Sequence, residues 1–111
     1  MVCVHVEFMP DGSPYFARPG EVLPDRYVYV FQCCGSTKVR IGMTTRPVEK
    51  RLAELQRSCP EELQILCVFA TTAPRRLEKH IQAHFAAYRI RHDWFALPDD
   101  LIARLRPESL P

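Results

Sequence analysis

The stretch "VRIGMTTRPVEKRLAEL", residues 39–55, gathers Arg40, Arg46, Lys50 and Arg51 where strand-like sequence gives way to helix-like sequence. Residues 27–57 carry six cations against two acids, and residues 75–92 carry five against the single acid Glu78. The segments before, between and after these blocks are each net acidic, so the whole 111-residue chain is only +2. Two basic blocks would form one surface for a polyanion if the fold joined them. On charge alone, two separate solvated helix faces are the simpler account.

The elements that must position these residues follow from pattern. "VCVHVEF" alternates, with Val4, Val6 and Phe8 opposite Cys3, His5 and Glu7. "MPDGSP" turns and "YFA" returns, an N-terminal hairpin. "RPGEVLPD" reads as a connector. "RYVYVFQ" and "TKVRIGM" are two strands around the turn "CCGS", most economically an antiparallel hairpin. In that pairing Tyr27, Tyr29 and Phe31 share one face, and Lys38, Arg40 and Gly42 share one face of the partner strand. Pro47 suits the first turn of a helix reaching about Arg57. Val48, Leu52, Leu55 and Cys59 form its buried stripe. Arg51 borders that stripe, while Lys50, Glu54 and Arg57 point away. "LQILCVFATT" is a central strand, and "APRRLEKHIQAHFAAYR" a second helix with Leu77, Ile81, His84, Phe85 and Tyr88 on one face. "RHDWFAL" is a short edge segment and "PDDLIARL" a terminal helix whose end charges suit its dipole.

This order predicts an α/β (α+β) fold, a small, mostly antiparallel sheet flanked by helices. The length suits one core, and the composition, 47% apolar and 25% charged, is that of a globular protein. The divisions are an N-terminal hairpin and connector (1–26), a central domain (27–97) and a short helical tail (98–111). Five cysteines without a CxxC pair, and no leader pattern at the start, point to reduced thiols in a cytoplasmic protein. No run is long enough to span a membrane. His84 reads as a core histidine and Trp94 as a core anchor.

The chain from Tyr27 to Leu97 resembles the GIY-YIG nuclease superfamily, in particular its phage and bacterial branch of stand-alone members with a KIG-type second motif. The carriers are "YVYV" (27–30), "VRIGMTT" (39–45), "EKRLAELQ" with Arg51, and "LEK" (77–79) followed by Phe85, Arg89 and "DWF" (93–95). They stand in the family's order and at its spacing. Arg40 replaces the superfamily's second tyrosine, at a position where the branch often has lysine. Gln82 stands where the branch often has histidine, and Asp93 replaces a glutamate.

The resemblance implies a metal-dependent endonuclease or nickase acting on nucleic acid, with DNA the expected form. It implies Tyr29 for the attacking water, Arg51 and Arg40 for the phosphate, and Glu78 as ligand for Mg²⁺ or Mn²⁺. Gly42 would let the chain turn into a loop whose Thr44 and Thr45 hydroxyls support a phosphate. Lys38, Lys50 and Arg75 are further candidate contacts, equally readable as solvated charges. So small a domain offers little surface for reading sequence, so specificity would call for a homodimer or a protein partner. Two rivals stand beside this reading. One is a catalytically weakened module that binds nucleic acid or blocks a defence or repair protein. The other is an adaptor using the edge of the N-terminal hairpin.

Overall fold

A computed structural model describes residues 3–18 and 26–110. Strands β1 (Val4–Phe8), β2 (Pro14–Phe16), β3 (Arg26–Cys33) and β4 (Lys38–Thr44) precede helix α1 (Val48–Gln56). Then come β5 (Leu63–Thr71), α2 (Pro74–His84), a 3₁₀ turn, β6 (Arg89–Arg91), β7 (Trp94–Ala96), α3 (Asp99–Leu105) and a final 3₁₀ turn. The connector expected over residues 18–25 lies, apart from Arg18, outside the described residues.

One seven-stranded sheet runs β2-β1-β5-β3-β4-β7-β6. All its pairings are antiparallel except β1 with β5. The N-terminal hairpin therefore extends the main sheet. Nothing in its own alternation could reveal this, because the parallel pairing reaches a strand some sixty residues away (Val4 opposite Phe69). At the other edge "RHDWFAL" makes a small hairpin of its own, β6 with β7.

Alternation sends β3 side chains to both faces, and both faces are covered: every residue from Val28 to Cys33 is buried. On one face Tyr29, Phe31 and Val68 pack against Val48, with Leu52 and Leu55 of α1 alongside. On the other, Val28, Val30, Val39 and Ile41 meet Leu77 and Phe85 from the α2 segment and Ile102 of α3. Proline sets the start of both longer helices: Pro47 caps α1 and Pro74 opens α2. Three expectations fail here. His84, the last residue of α2, and Tyr88, in the 3₁₀ turn after it, are both exposed, because the helix stops at His84 and its 3.6-residue period does not continue. Phe95 is the fully buried anchor, and its neighbour Trp94, on the opposite side of a two-sided strand, is only half-buried. No helix among the described residues is long and apolar enough to cross a membrane.

A buried carboxylate ties the first strand to the connection between β5 and α2. Glu7 is 6% exposed. It accepts from the Thr72 amide at 3.0 Å, from the Thr72 hydroxyl at 2.6 Å, and pairs with His5. Burial pushes its carboxyl up, but the bonds from Thr72 and His5 outweigh that and hold it below the ordinary carboxylate range. A depressed folded value means that the contribution is present above the unfolded value, near 4.5, and is lost as pH falls through the folded one. Glu7→Gln is expected to cost about 1–3 kcal/mol near neutral pH. In urea unfolding the gap between wild type and variant should narrow below pH 4.5. A gap independent of pH would show that the carboxylate charge does not matter.

Candidate functional site

The register of the β3–β4 hairpin builds the site. Tyr29 lies opposite Gly42, and Phe31 opposite Arg40, so these residues share the face covered by α1. The Tyr29 ring stacks on Phe31 at 4.1 Å between centroids and reaches across β4 over Gly42. A Cβ added at Gly42 would lie 2.3 Å from the Tyr29 hydroxyl and 2.6 Å from its ring carbon Cζ. The glycine is therefore a slot in mid-strand for the tyrosine. The expectation that it turns the chain into a loop is corrected: β4 continues to Thr44.

Tyr29 is only 1% exposed, so its hydroxyl needs a partner. Arg51, on the α1 border facing the sheet, is the charged neighbour of that hydroxyl. The accepting Tyr29 hydroxyl holds the Arg51 guanidinium above its ordinary range, against the pull of burial. Arg51 also donates to Glu54 at 3.4 Å, and Glu54 pairs with Arg46 at 2.8 Å. Glu54 thus turns in towards Arg51 instead of pointing away. The relation is an i,i+3 contact along the helix, which a buried-stripe pattern does not report.

The outer edge of β4 completes the arrangement. β7 pairs only with Lys38 to Arg40. Past that point the strand's backbone groups are met one by one. The Ile41 amide donates to the Asp93 carbonyl at 3.0 Å. Gln82 on α2 donates to the Ile41 carbonyl at 2.9 Å and to the Asp93 carboxylate at 3.2 Å. Glu78, one turn earlier on α2, lies near the Met43 amide. Burial, and then the negative charge of Asp93, push the Glu78 carboxyl up; Arg75 and the Met43 amide oppose them. Tyr29 and Glu78 thus approach consecutive residues of β4, Tyr29 at Gly42 and Glu78 at Met43.

The other candidates are dispersed. Arg40 extends beside Trp94, its guanidinium 5.8 Å from the ring centroid and 3.8 Å from Asp93. Lys38 pairs with Glu61 at the far end of β4. Thr44 is buried, and its hydroxyl bonds the Arg46 amide at 3.0 Å and the Arg46 carbonyl at 3.2 Å, so it shapes the loop into α1. Thr45 and Arg75 line a recess beside Met43, together with Arg26 and Arg76. Lys50 is exposed on the outer side of α1. The sequence reading treated Asp93 and Gln82 only as departures from a motif. Their shared role at the β4 edge depends on a contact between α2 and β7 that no local pattern carries. Among the described residues no three His, Cys, Asp or Glu side chains cluster as a ready-made metal cage.

The slot makes a sign-reversing test. In a strand interior, Gly→Ala ordinarily stabilises by roughly 0.5–1 kcal/mol. Here Gly42→Ala is expected to destabilise by about 1–3 kcal/mol, since the Tyr29 ring must move. In a Tyr29→Leu background, whose side chain is too short to reach the slot, the same change should become neutral or stabilising. Urea unfolding of the four proteins measures the coupling, and additive costs would show that the ring does not occupy the slot.

The sequence model of the T5orf172 domain matches residues 26–106. Among curated proteins and among solved structures, nothing matches the chain significantly. The matched span runs from the first residue of β3 through α3, and so contains Tyr29, Gly42, Arg51, Glu78 and Asp93. The chain belongs to the T5orf172 domain family.

Proposed function

We propose that this protein is a divalent-metal-dependent endonuclease or nickase of GIY-YIG type that hydrolyses phosphodiesters of nucleic acid, with DNA the favoured substrate. The carrying observation is the Tyr29 ring over Gly42, with Glu78 beside the next residue, Met43, and Arg51 neighbouring the tyrosine hydroxyl. T5orf172 domains are often nuclease-like, which supports a role on nucleic acid.

The residues present suit a hard dication. Glu78 is half-buried at an edge where Asp93 disfavours its charge, and a cation there would relieve that repulsion. One carboxylate, with water and substrate completing the shell, is the usual way Mg²⁺ is held. Bound at Glu78, Mg²⁺ or Mn²⁺ would supply Lewis acidity to the phosphoryl oxygens. The Tyr29 hydroxyl, fixed by Phe31 on one side and Arg51 on the other, would orient the water that attacks phosphorus. Arg51 would neutralise charge on the phosphoryl oxygens as the bond to the leaving oxygen breaks. Thr45 and Arg75, in the recess beside Met43, would hold an adjoining phosphate. Lys50 would contribute at most to long-range attraction, as would Lys38 so long as Glu61 pairs with it. The protein would work in the cytoplasm.

Purified protein should nick supercoiled plasmid in Mg²⁺ or Mn²⁺ and do nothing in EDTA. Glu78→Gln and Arg51→Ala should each lower the rate by about 10²–10³-fold. Their affinity for DNA in EDTA should stay within a few-fold of wild type for Glu78→Gln. Failure to cut any DNA or RNA form with either metal would overturn the nuclease reading. Retained salt-sensitive binding in that case would identify a binding module instead.

A further inference from the structure

Beyond Arg40, on the side away from Gly42, the α1 face of the sheet opens into a cavity of about 360 Å³. Its walls include Leu55 of α1, Trp94 of β7 and Ile90 of β6, and its charged groups are Lys38, Arg40, Arg91 and Glu61. Three cations against one acid leave it net positive. Ile90 is 54% exposed, an unusual position for a large aliphatic side chain on a three-residue strand with no buried residue. The Arg40 Nε is buried within the protein and has no hydrogen-bond partner among the described residues.

The cavity thus combines apolar and aromatic walls with a net positive rim. A phosphate alone would leave Trp94, Leu55 and Ile90 without a role. A purely apolar ligand would leave the excess positive charge unanswered. A nucleotide uses both: an apolar π face of its base for the walls, and its backbone phosphate for the rim. Arg40 and Gly42 are two residues apart on one strand face, roughly 6.6 Å. The cavity therefore opens one side chain away from where Tyr29 and Glu78 approach β4. Bases inside a duplex have both faces stacked and their edges paired, so they cannot enter.

We propose that this cavity receives an unpaired nucleobase next to the phosphate under attack, against Trp94 and Ile90. The substrates are then nucleic acids with at least one unpaired nucleotide at the cut: single strands, flaps, bulges or ends. The placement beside the attacked phosphate rests on the nuclease reading, whereas the base site does not.

Trp94 is the chain's single tryptophan, so intrinsic fluorescence reports on the cavity directly. Wild-type protein in EDTA at modest salt is titrated with a short oligothymidylate, an abasic strand of equal length, and a blunt duplex. The oligothymidylate should quench Trp94, and the abasic strand and the duplex should not. Trp94→Ala should weaken single-strand binding about 5- to 150-fold, with duplex binding unchanged. If that variant does not fold by circular dichroism, Trp94→Phe should keep single-strand affinity within a few-fold, and the surface change Ile90→Ser should lower it. Equal quenching by all three probes, or none by the oligothymidylate, overturns the base site. Metal-dependent nicking without quenching removes the base site and leaves the nuclease standing. Quenching without nicking does the reverse.

Discussion

The Tyr29 ring lying over Gly42 fixes much of what surrounds it. The sheet is covered on both faces at β3, so a tyrosine there has nowhere to go except sideways, across the neighbouring strand. That route exists only where the neighbour lacks a Cβ, and the β3–β4 register places the glycine there. A one-residue slip would turn Gly42 to the other face and drive a side chain into the ring. Burial of the phenol then requires a hydrogen-bond partner, which draws Arg51 inward from the helix border. Arg51, half-buried, in turn draws Glu54, and Glu54 draws Arg46. Each step satisfies a polar group that the previous step took from water.

The opposite edge of β4 solves a different problem. An unpaired strand edge presents amides and carbonyls that other chains can pair with. β7 covers only half of this edge, and α2 covers the rest with side chains instead of a strand. A side chain differs from a strand partner in having capacity to spare. Gln82 meets Ile41, Asp93 and Arg89 at once. Glu78 lies near one amide and retains acceptor positions. The edge is thereby closed to strands, while a carboxylate with free lone pairs stands against it. Arg51 on the face and Glu78 at the edge place opposite charges on two sides of the same short backbone segment.

What could be read in advance divides along the same physical line. Features set by one element's own period were legible. The strand β3 with Tyr29 and Phe31 on one face, the shared face of Tyr29 and Arg40, Arg51 at the helix border and the strand β5 all follow from spacing and simple hairpin pairing, and the structure has each of them. Features set by a contact between distant elements were not. Gly42 looks like a turn residue until its partner across the hairpin is known to be Tyr29. Thr44 looks like a phosphate contact until the chain after it bends back and the hydroxyl meets Arg46. His84 failed for a third reason: the helical period ended under it. The cavity beside Trp94 needs α1, β4 and the β6–β7 hairpin together, three segments separated by most of the domain.

Arg40 gains a different meaning from this geometry. It reaches sideways to β7, where its guanidinium lies 5.8 Å from the Trp94 ring centroid and 3.8 Å from the Asp93 carboxylate. The tyrosine that meets arginine is Tyr29, which is present, and the arginine it meets is Arg51. On the proposed reading the strand divides its work by position. Its Gly42–Met43 end carries the groups that would act on the phosphodiester, and its Lys38–Arg40 end carries those that would grip the neighbouring nucleotide. An arginine suits the second task better than a tyrosine, because its fixed charge and planar donors serve a phosphate and a base edge alike.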